Sequence, residues 1–284
     1  MMGYAFRSSK PRRKNMLRAF GRREDPTLIL LHGLGSQLLL WEEGFCTGLA
    51  AQGFQVVRFD SRDSGLSTKF PEGSAYTLSD MAADVVGLLG HLEVGNAHIV
   101  GFSLGGMVAQ TVAVDHPERC RSLVSMGSNT GNRDFGRPTG ETMAAMMTPT
   151  PETQEARVEK DLADRRLWAS PAWHDEDLVR GTFEAYAKRS LQPQEAFNRQ
   201  WGAALSHGDR EKQLATIAVP TRVIHGGADT LIDQSGGRRT AEVIPGADFV
   251  LVDGWGHDLP PGSWPFLIEA ISEHALRCDA HRVD

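Results

Sequence analysis

A serine set between two glycines is the first residue of this sequence that could do chemistry. Residues 101–105 read Gly-Phe-Ser-Leu-Gly, after the apolar run 97–100 and before the small-residue stretch 106–110. This pentapeptide between a strand and a helix forms a sharp turn that raises the serine hydroxyl above the sheet. Glycines flank the turn because strand and helix approach too closely there for a β-carbon. The context predicts a nucleophilic serine, Ser103.

A serine hydroxyl is a weak nucleophile at neutral pH, so it needs a histidine as base and a carboxylate that orients the histidine. In open parallel sheets such side chains lie beyond the carboxyl ends of the strands. Asp229 follows the apolar run 221–224, and His257 follows the run 249–252. Their order after Ser103 and their places after strands predict a catalytic triad of these three residues.

Other residues compete for the roles of acid and base. Asp233 is the nearest alternative to Asp229. His225, at the end of a strand, and His274, within a helical stretch, are weaker candidates for the base than His257. Aspartate and serine are also common in ordinary turns, which they hold through local hydrogen bonds. The triad is therefore a hypothesis that depends on three distant segments meeting in space.

Acyl transfer also requires two donors directed at the oxyanion of the tetrahedral intermediate. The backbone N–H of Leu104, directly after the serine, is the first expected donor. Leu34, in the His-Gly-Leu-Gly segment 32–35, is the second. Leu104 also begins a helix, whose N-terminal dipole favours negative charge. His32 is expected to brace this loop rather than to take part in the reaction.

The remaining reactive residue types indicate no second chemistry. The charged cluster of Asp60, Arg62 and Asp63 is typical of a turn held by local hydrogen bonds and ion pairs. Cys46, Cys120 and Cys278 have no paired spacing, so neither a disulfide nor a zinc site is expected. No Gly-x-Gly-x-x-Gly motif follows a strand, so a dinucleotide site is not expected either. The sequence thus predicts neither a metal nor a cofactor.

The elements that must position these residues alternate between strand and helix along two stretches, 27–130 and 213–284. This alternation predicts an α/β core with a parallel sheet and helices on both faces. Between the two stretches, residues 131–212 begin with a Gly-, Pro- and Met-rich segment and continue as three helical segments without strands. The interruption predicts a helical cap inserted into the core.

Methionine and tryptophan side chains of the cap could line an apolar, adaptable substrate pocket. The candidates are Met143, Met146, Trp168 and Trp173, with Met147 and Trp201 as further choices. At helical spacing such residues can equally form the core of the cap itself, and this alternative is strongest for Trp201. The expected substrate is a medium-sized apolar or aromatic ester.

Residues 1–26 form a basic leader, because lysines and arginines precede the first acidic residue. It is expected to be disordered or, at 16–21, to contain a remnant strand, with mitochondrial targeting as a minor alternative. The formal net charge of −6 argues against a general affinity for nucleic acid. No apolar run reaches the length of a membrane span. Unpaired cysteines favour a reducing compartment, so a cytoplasmic location is expected.

Together these segments resemble the α/β-hydrolase superfamily. The matching stretches are LLHGLGS (30–36), VVRFDSRDSGLST (56–68), HIVGFSLGGMVAQ (98–110), VIHGGADTLI (223–232) and GWGHDLP (254–260). The RDSGLST turn and the GHDLPP tail are more narrowly similar to the branch that includes aclacinomycin methylesterase. The resemblance implies an eight-stranded, mostly parallel sheet under a helical cap, and chemistry without a cofactor.

The expected function is hydrolysis of carboxylic esters through an acyl-enzyme on Ser103. The same triad supports hydrolytic C–C bond cleavage or cofactor-free peracid formation, and both remain open as alternatives. A non-catalytic receptor for a small ligand on the same fold is a further alternative. Haloalkane dehalogenase and epoxide hydrolase activities are disfavoured, because those relatives need aspartate at position 103. The sequence leaves the oligomeric state open.

Overall fold

The computed structural model describes residues 16–280 of the 284-residue chain. The prediction for the basic leader before residue 16 lies outside the described residues. A short strand at Leu17–Phe20 occupies the part of the leader for which the sequence allowed a strand.

One sheet of seven strands forms the centre of the described part of the chain, in the order β1-β3-β2-β4-β5-β6-β7. The strands are β1 Leu17–Phe20, β2 Thr27–Leu31, β3 Gln55–Phe59, β4 Ala97–Phe102, β5 Cys120–Met126, β6 Thr221–Gly226 and β7 Asp248–Val252. β1 runs antiparallel to β3, and the other neighbours are parallel. The resemblance implied eight strands; the described sheet has seven, because β1 alone forms its antiparallel edge.

Helices cover both faces of this sheet. The α-helices described between residues 16 and 280 are α1 Glu43–Ala50, α2 Leu78–His91, α3 Leu104–Asp115, α4 Gly140–Met147, α5 Gln154–Trp168, α6 Glu176–Arg189, α7 Gln194–His207, α8 Glu211–Leu214, α9 Gln234–Val243 and α10 Trp264–Ala280. The side chains of α2 and α3 belong to one buried apolar cluster, and those of α1 and α10 belong to a second. The central strands β2 and β4 are buried along their whole length, as expected for parallel strands covered on both faces.

Helices α4 to α7 lie between β5 and β6, in the region that the sequence analysis interpreted as a cap. Two buried ion pairs join them to the turn after β3: Arg189 of α6 contacts Asp60 at 2.7 Å, and Arg199 of α7 contacts Asp63 at 2.8 Å. The expectation of local bonding holds for the hydrogen bonds, since Asp60 accepts from the N–H of Leu66 at 2.9 Å and Asp63 from that of Phe70 at 2.8 Å. It was wrong for the ion pairs of both aspartates, whose partners are distant arginines. Arg62 does pair close by, with a carboxylate of α2.

Candidate active site

Ser103 occupies the turn between β4 and α3 with a strained backbone, φ 58° and ψ −122°. The tight packing of the turn explains the conformation. A β-carbon at position 101 would overlap the carbonyl oxygen of Gly105, and one at position 105 would overlap that of Leu31. Strand and helix can approach this closely because both positions are glycine. Surrounding structure thus holds the serine in a sparsely populated conformation of the kind found at functional sites.

Asp229 and His257 meet in the structure. Nδ1 of His257 donates to Oδ2 of Asp229 at 2.6 Å, with both side chains buried. Oδ1 of the same carboxylate accepts from the N–H groups of Leu231 and Ile232 at 2.9 and 2.8 Å. Because a carboxylate only accepts, this arrangement places the imidazole proton on Nδ1 and leaves Nε2 as an acceptor.

The competing residues make other contacts. Asp233 caps α9 by accepting from the N–H of Ser235 at 3.0 Å. His225 bonds through Nε2 to the carbonyl of Ile232 at 2.8 Å, and burial lowers its pKa. His274 lies in α10, where burial lowers its pKa to about 4. These contacts assign a cap to the aspartate and bracing roles to the two neutral histidines.

Ser103 and His257 line the same cavity. The ring of Phe102, beside the serine, packs against the imidazole with centroids 4.7 Å apart. Among the hydrogen bonds of the described residues, none joins Ser103 to His257. Catalytic hydrogen bonds are often long without a substrate and shorten in the complex. The geometry therefore brings the predicted base and the predicted nucleophile to one cavity, with the carboxylate of Asp229 bonded to the imidazole.

Leu34 and Leu104, the expected sources of oxyanion donors, also line this cavity. Leu104 is the first residue of α3, so its N–H has no acceptor within the helix. His32 accepts from the N–H of Ser61 through Nε2 at 3.1 Å and bonds through Nδ1 to the Gly33 carbonyl at 2.9 Å. Burial lowers the pKa of His32, so it is neutral and its two bonds fix the loop that carries Leu34.

The cavity has a volume of about 610 Å³. Met143, Met146 and Trp168 line it, as the sequence suggested for a pocket. Trp173 does not, and this part of the expectation is corrected. Its ring stacks on Phe266 of α10 with centroids 5.8 Å apart and packs against the apolar cluster that contains the side chains of α1 and α10. The reason is tertiary: Trp173 lies beyond the end of α5, where the chain has already turned toward α10.

Charged residues of α5 form a wall of the cavity that the sequence analysis did not anticipate. They are Arg157, Lys160, Asp161, Asp164 and Arg165. Their spacing of three and four residues places them on one helix face, and this signal was present in the sequence. Burial raises the pKa of Asp161 to about 6. The cavity is consequently lined both by apolar side chains, such as Phe102 and Met107, and by the charged side chains of α5, rather than being apolar throughout.

Arg210 adds a buried cation to the lining of the cavity, beside α3 and the end of β5. Its Nη2 donates to Oε1 of Gln110 at 3.1 Å and to the carbonyl of Asn129 at 2.7 Å, both neutral acceptors. Burial lowers its pKa to about 10, which leaves the guanidinium charged at neutral pH. Sequence patterns contain no signal for this residue, because nothing local marks an arginine that a distant strand end will bury.

Comparison with known proteins decides the family. A family model described as the alpha/beta hydrolase fold matches residues 26–260. This chain belongs to the α/β-hydrolase family. The family membership and the sheet class predicted from the sequence are thereby confirmed.

Individual α/β hydrolases extend the comparison. The rhodomycin D methylesterase DauP of Streptomyces sp. (strain C5) is 28% identical over 274 residues, which cover 88% of this chain and 91% of that protein. The 3-oxoadipate enol-lactonase 2 of Acinetobacter baylyi is 25% identical over 238 residues, 79% of each chain. A crystal structure of a hydrolase from Pseudomonas aeruginosa PA01 superposes with a TM-score of 0.69 at 28% identity over 92% of each chain. The predicted resemblance to a methylesterase branch is confirmed by the match with DauP.

In the part of the chain that the structure describes, no group of three or more histidine, cysteine, aspartate or glutamate side chains could hold a metal ion. None of the helices described between residues 16 and 280 is long and apolar enough to cross a membrane.

Proposed function

We propose that this α/β hydrolase cleaves carboxylic esters through an acyl-enzyme on Ser103. The observation that carries the proposal is the 2.6 Å bond from His257 to Asp229, with Ser103 and the imidazole on one cavity. The carboxylate fixes the tautomer that leaves Nε2 free to take a proton from the serine. The methylesterase name of a relative that matches along most of its length supports the same reaction class.

In the proposed reaction, Ser103 attacks the ester carbonyl while Nε2 of His257 takes the hydroxyl proton. The N–H groups of Leu34 and Leu104 stabilise the oxyanion of the tetrahedral intermediate. The imidazolium, stabilised by Asp229, gives its proton to the leaving alcohol. A water molecule then loses a proton to the same nitrogen as it attacks the acyl carbon. The imidazolium returns that proton to Oγ of Ser103 as the bond to the acyl group breaks and the carboxylic acid is released.

The cavity suggests a substrate with two unlike sides. Its volume of about 610 Å³ is within the range of pockets that enclose a drug-sized molecule. Phe102, Met107 and Trp201 supply apolar wall, and the charged face of α5 lies on the cap side. We propose that the substrate is an ester of a ring-containing acid whose polar substituents face α5. We propose a small leaving alcohol, because the name of DauP describes that relative as a methylesterase.

A fluorophosphonate probe with peptide mapping tests the nucleophile directly. The label is expected on the peptide that contains Ser103 and is expected to disappear in Ser103→Ala. That variant should lose about 10⁴-fold or more in kcat on p-nitrophenyl esters, because triad members act as a unit. Ser206→Ala, an exposed serine of α7 outside the cavity, is the control and should retain activity. Near-wild-type esterase activity in Ser103→Ala would rule out the proposal.

The substrate panel includes a vinylogous diketone, because the same three residues can support hydrolytic C–C bond cleavage. Turnover of the diketone without turnover of any ester would replace ester hydrolysis by that reaction. Saturable ligand binding with no turnover and no labelling would favour a receptor.

A further inference from the structure

The backbone of His257 is held by the cap. Its N–H donates to the carbonyl of Trp168 at 2.6 Å, and its carbonyl accepts from Nη1 of Arg165 at 2.8 Å. Both partners lie in the last turn of α5. The main chain of the proposed base therefore has its two polar groups bound on the side opposite the sheet.

The residues on either side of His257 are tied to the same cap segment. Asp258, which is buried, accepts from both the N–H and the hydroxyl of Ser170. The N–H of Gly256 donates to the Ser170 hydroxyl oxygen at 2.9 Å. A β-carbon at position 256 would overlap the carbonyl of Trp168, so the two chains approach here as closely as glycine permits. Segment 165–170, here named the clamp, thus contacts three consecutive residues of the histidine loop.

The core holds the neighbouring parts of this loop instead. The N–H of Ala228 donates to the carbonyl of Trp255 at 2.9 Å, and the indole N–H of Trp255 donates to the carbonyl of Asp258 at 2.6 Å. From the core side, the imidazole of His257 is fixed by its bond to Asp229. The position of Nε2 relative to Ser103 consequently depends on two separate sets of contacts. Asp229 holds the imidazole, and the clamp holds the main chain of the histidine loop.

Arg165 connects the clamp to the cavity. Its guanidinium lies over the ring of Phe183 at 5.5 Å, and both side chains line the cavity. Because a planar guanidinium keeps its donors in a fixed geometry, a displacement of this side chain is transmitted to the bonded carbonyl. Small displacements matter, since catalysis by proton transfer requires hydrogen-bond distance between base and nucleophile.

We propose that Arg165 is a positioning residue for His257. The position of the C-terminal end of α5 then determines the distance between Nε2 of His257 and the hydroxyl of Ser103. The inference rests on the proposed ester hydrolysis and adds a dependence of the base on the cap. Arg165 acts through the main chain of the base and takes no part in bond making.

The test compares Arg165→Gln and Arg165→Lys with a matched control, Arg166→Gln. Arg166 is the next residue of the same helix turn, and it pairs with exposed Glu176 away from the histidine loop. Arg165→Gln should lower the rate of Ser103 labelling and kcat by about 10- to 100-fold, as expected for a reacting group displaced by about 1 Å. Arg165→Lys should recover part of the loss because an ammonium can still donate to the carbonyl, and Arg166→Gln should match the wild type.

Three readouts separate positioning from a merely structural role. KM should change little compared with kcat, and the unfolding temperature of Arg165→Gln should stay close to that of Arg166→Gln. The downfield NMR resonance of the His257 Nδ1 proton should broaden or shift in Arg165→Gln alone. If Arg165→Gln does not fold, Ser170→Ala removes the hydroxyl link to Asp258 and Gly256 and should produce the same kinetic and NMR changes.

Unchanged labelling and an unchanged resonance in Arg165→Gln and Ser170→Ala would overturn the inference. A rise in KM with unchanged kcat would also overturn it, because Arg165 would then contact substrate instead. Failure of the proposed function has a different signature, an unlabelled Ser103 in the wild type, and the NMR comparison still decides the role of the clamp in that case.

Discussion

Replacing Asp229 by asparagine tests the proposed triad at a residue whose two carboxylate oxygens both accept hydrogen bonds. Oδ1 accepts from the N–H groups of Leu231 and Ile232 at 2.9 and 2.8 Å, and Oδ2 accepts from His257 at 2.6 Å. Asparagine has a single acceptor oxygen. The two backbone donors hold that oxygen at the place of Oδ1, so the NH₂ group faces the imidazole.

An NH₂ group opposite Nδ1 reverses the tautomer of His257. Nδ1 becomes the acceptor and the proton moves to Nε2, which then cannot take the proton of Ser103. The carboxylate that stabilises the imidazolium is lost as well. We expect kcat to fall by about 10⁴-fold, or about 5 kcal/mol of activation free energy. KM for a p-nitrophenyl ester should change by less than about threefold, because the lost interaction belongs to the transition state.

The assay is steady-state hydrolysis of a p-nitrophenyl ester, with circular dichroism to verify folding. Asp233→Asn is the matched control, since Asp233 is a nearby aspartate that caps α9 and asparagine caps helices equally well. Retention of more than about a tenth of wild-type kcat by a folded Asp229→Asn variant would refute the reasoning, because a histidine held in the wrong tautomer is expected to lose far more. Equal losses in both variants would assign the effect to the loop rather than to the triad.

Three further outcomes are expected. Gly105→Ala should lower the free energy of unfolding by at least about 2 kcal/mol in urea titrations, because the new methyl group overlaps the Leu31 carbonyl. Arg199→Met should lower the free energy of unfolding by about 3 kcal/mol in the same measurement, because it leaves the buried carboxylate of Asp63 without its charge partner. Asp161→Asn should raise the unfolding temperature at pH 8 and leave it unchanged below pH 4. The pKa of Asp161 is raised to about 6 in the folded state, so the folded protein holds this proton more tightly than the unfolded chain. The free energy of unfolding therefore falls as pH rises from about 4 through 6, and asparagine removes that loss.

Each of these variants has a control in the chain. Gly90 lies at an exposed site in α2 with open space around it, so Gly90→Ala should raise the free energy of unfolding by up to about 1 kcal/mol. Arg166→Met breaks an exposed pair with Glu176 and should leave the free energy of unfolding nearly unchanged, because solvent screens exposed pairs. Asp177→Asn, on the exposed first turn of α6, should show no rise in unfolding temperature at pH 8. Identical behaviour of a variant and its control would contradict the corresponding prediction.

The sequence was informative wherever the physical cause is local. Alternating apolar runs predicted the parallel sheet, because strands buried on both faces must be continuously apolar. The glycines at 101 and 105 predicted the sharp turn at Ser103, since only glycine lets strand and helix approach so closely. Asp229 and His257 could be proposed together because the carboxyl ends of parallel strands lie at one edge of the sheet.

Other features depend on contacts that sequence separation hides. Asp60 and Asp63 pair with arginines of α6 and α7 more than a hundred residues away, and no local pattern distinguishes such partners from neighbours in a turn. Trp173 turned away from the cavity because the chain had passed the end of α5. The charged face of α5 was visible from its spacing, but the direction it faces depends on how the cap packs over the sheet.

By itself, then, the sequence determined the class of the sheet and the family, and it led to the proposal of Ser103, Asp229 and His257 as a triad at the carboxyl edge of the sheet. Those features follow from periodicity, turn chemistry and chain order, which act over a few residues or along one strand. Tertiary structure alone decided that α5 would support His257 from above, that its charges would border the cavity, and that Arg210 would be buried beside it. These outcomes depend on side chains that meet only after the cap has packed on the core.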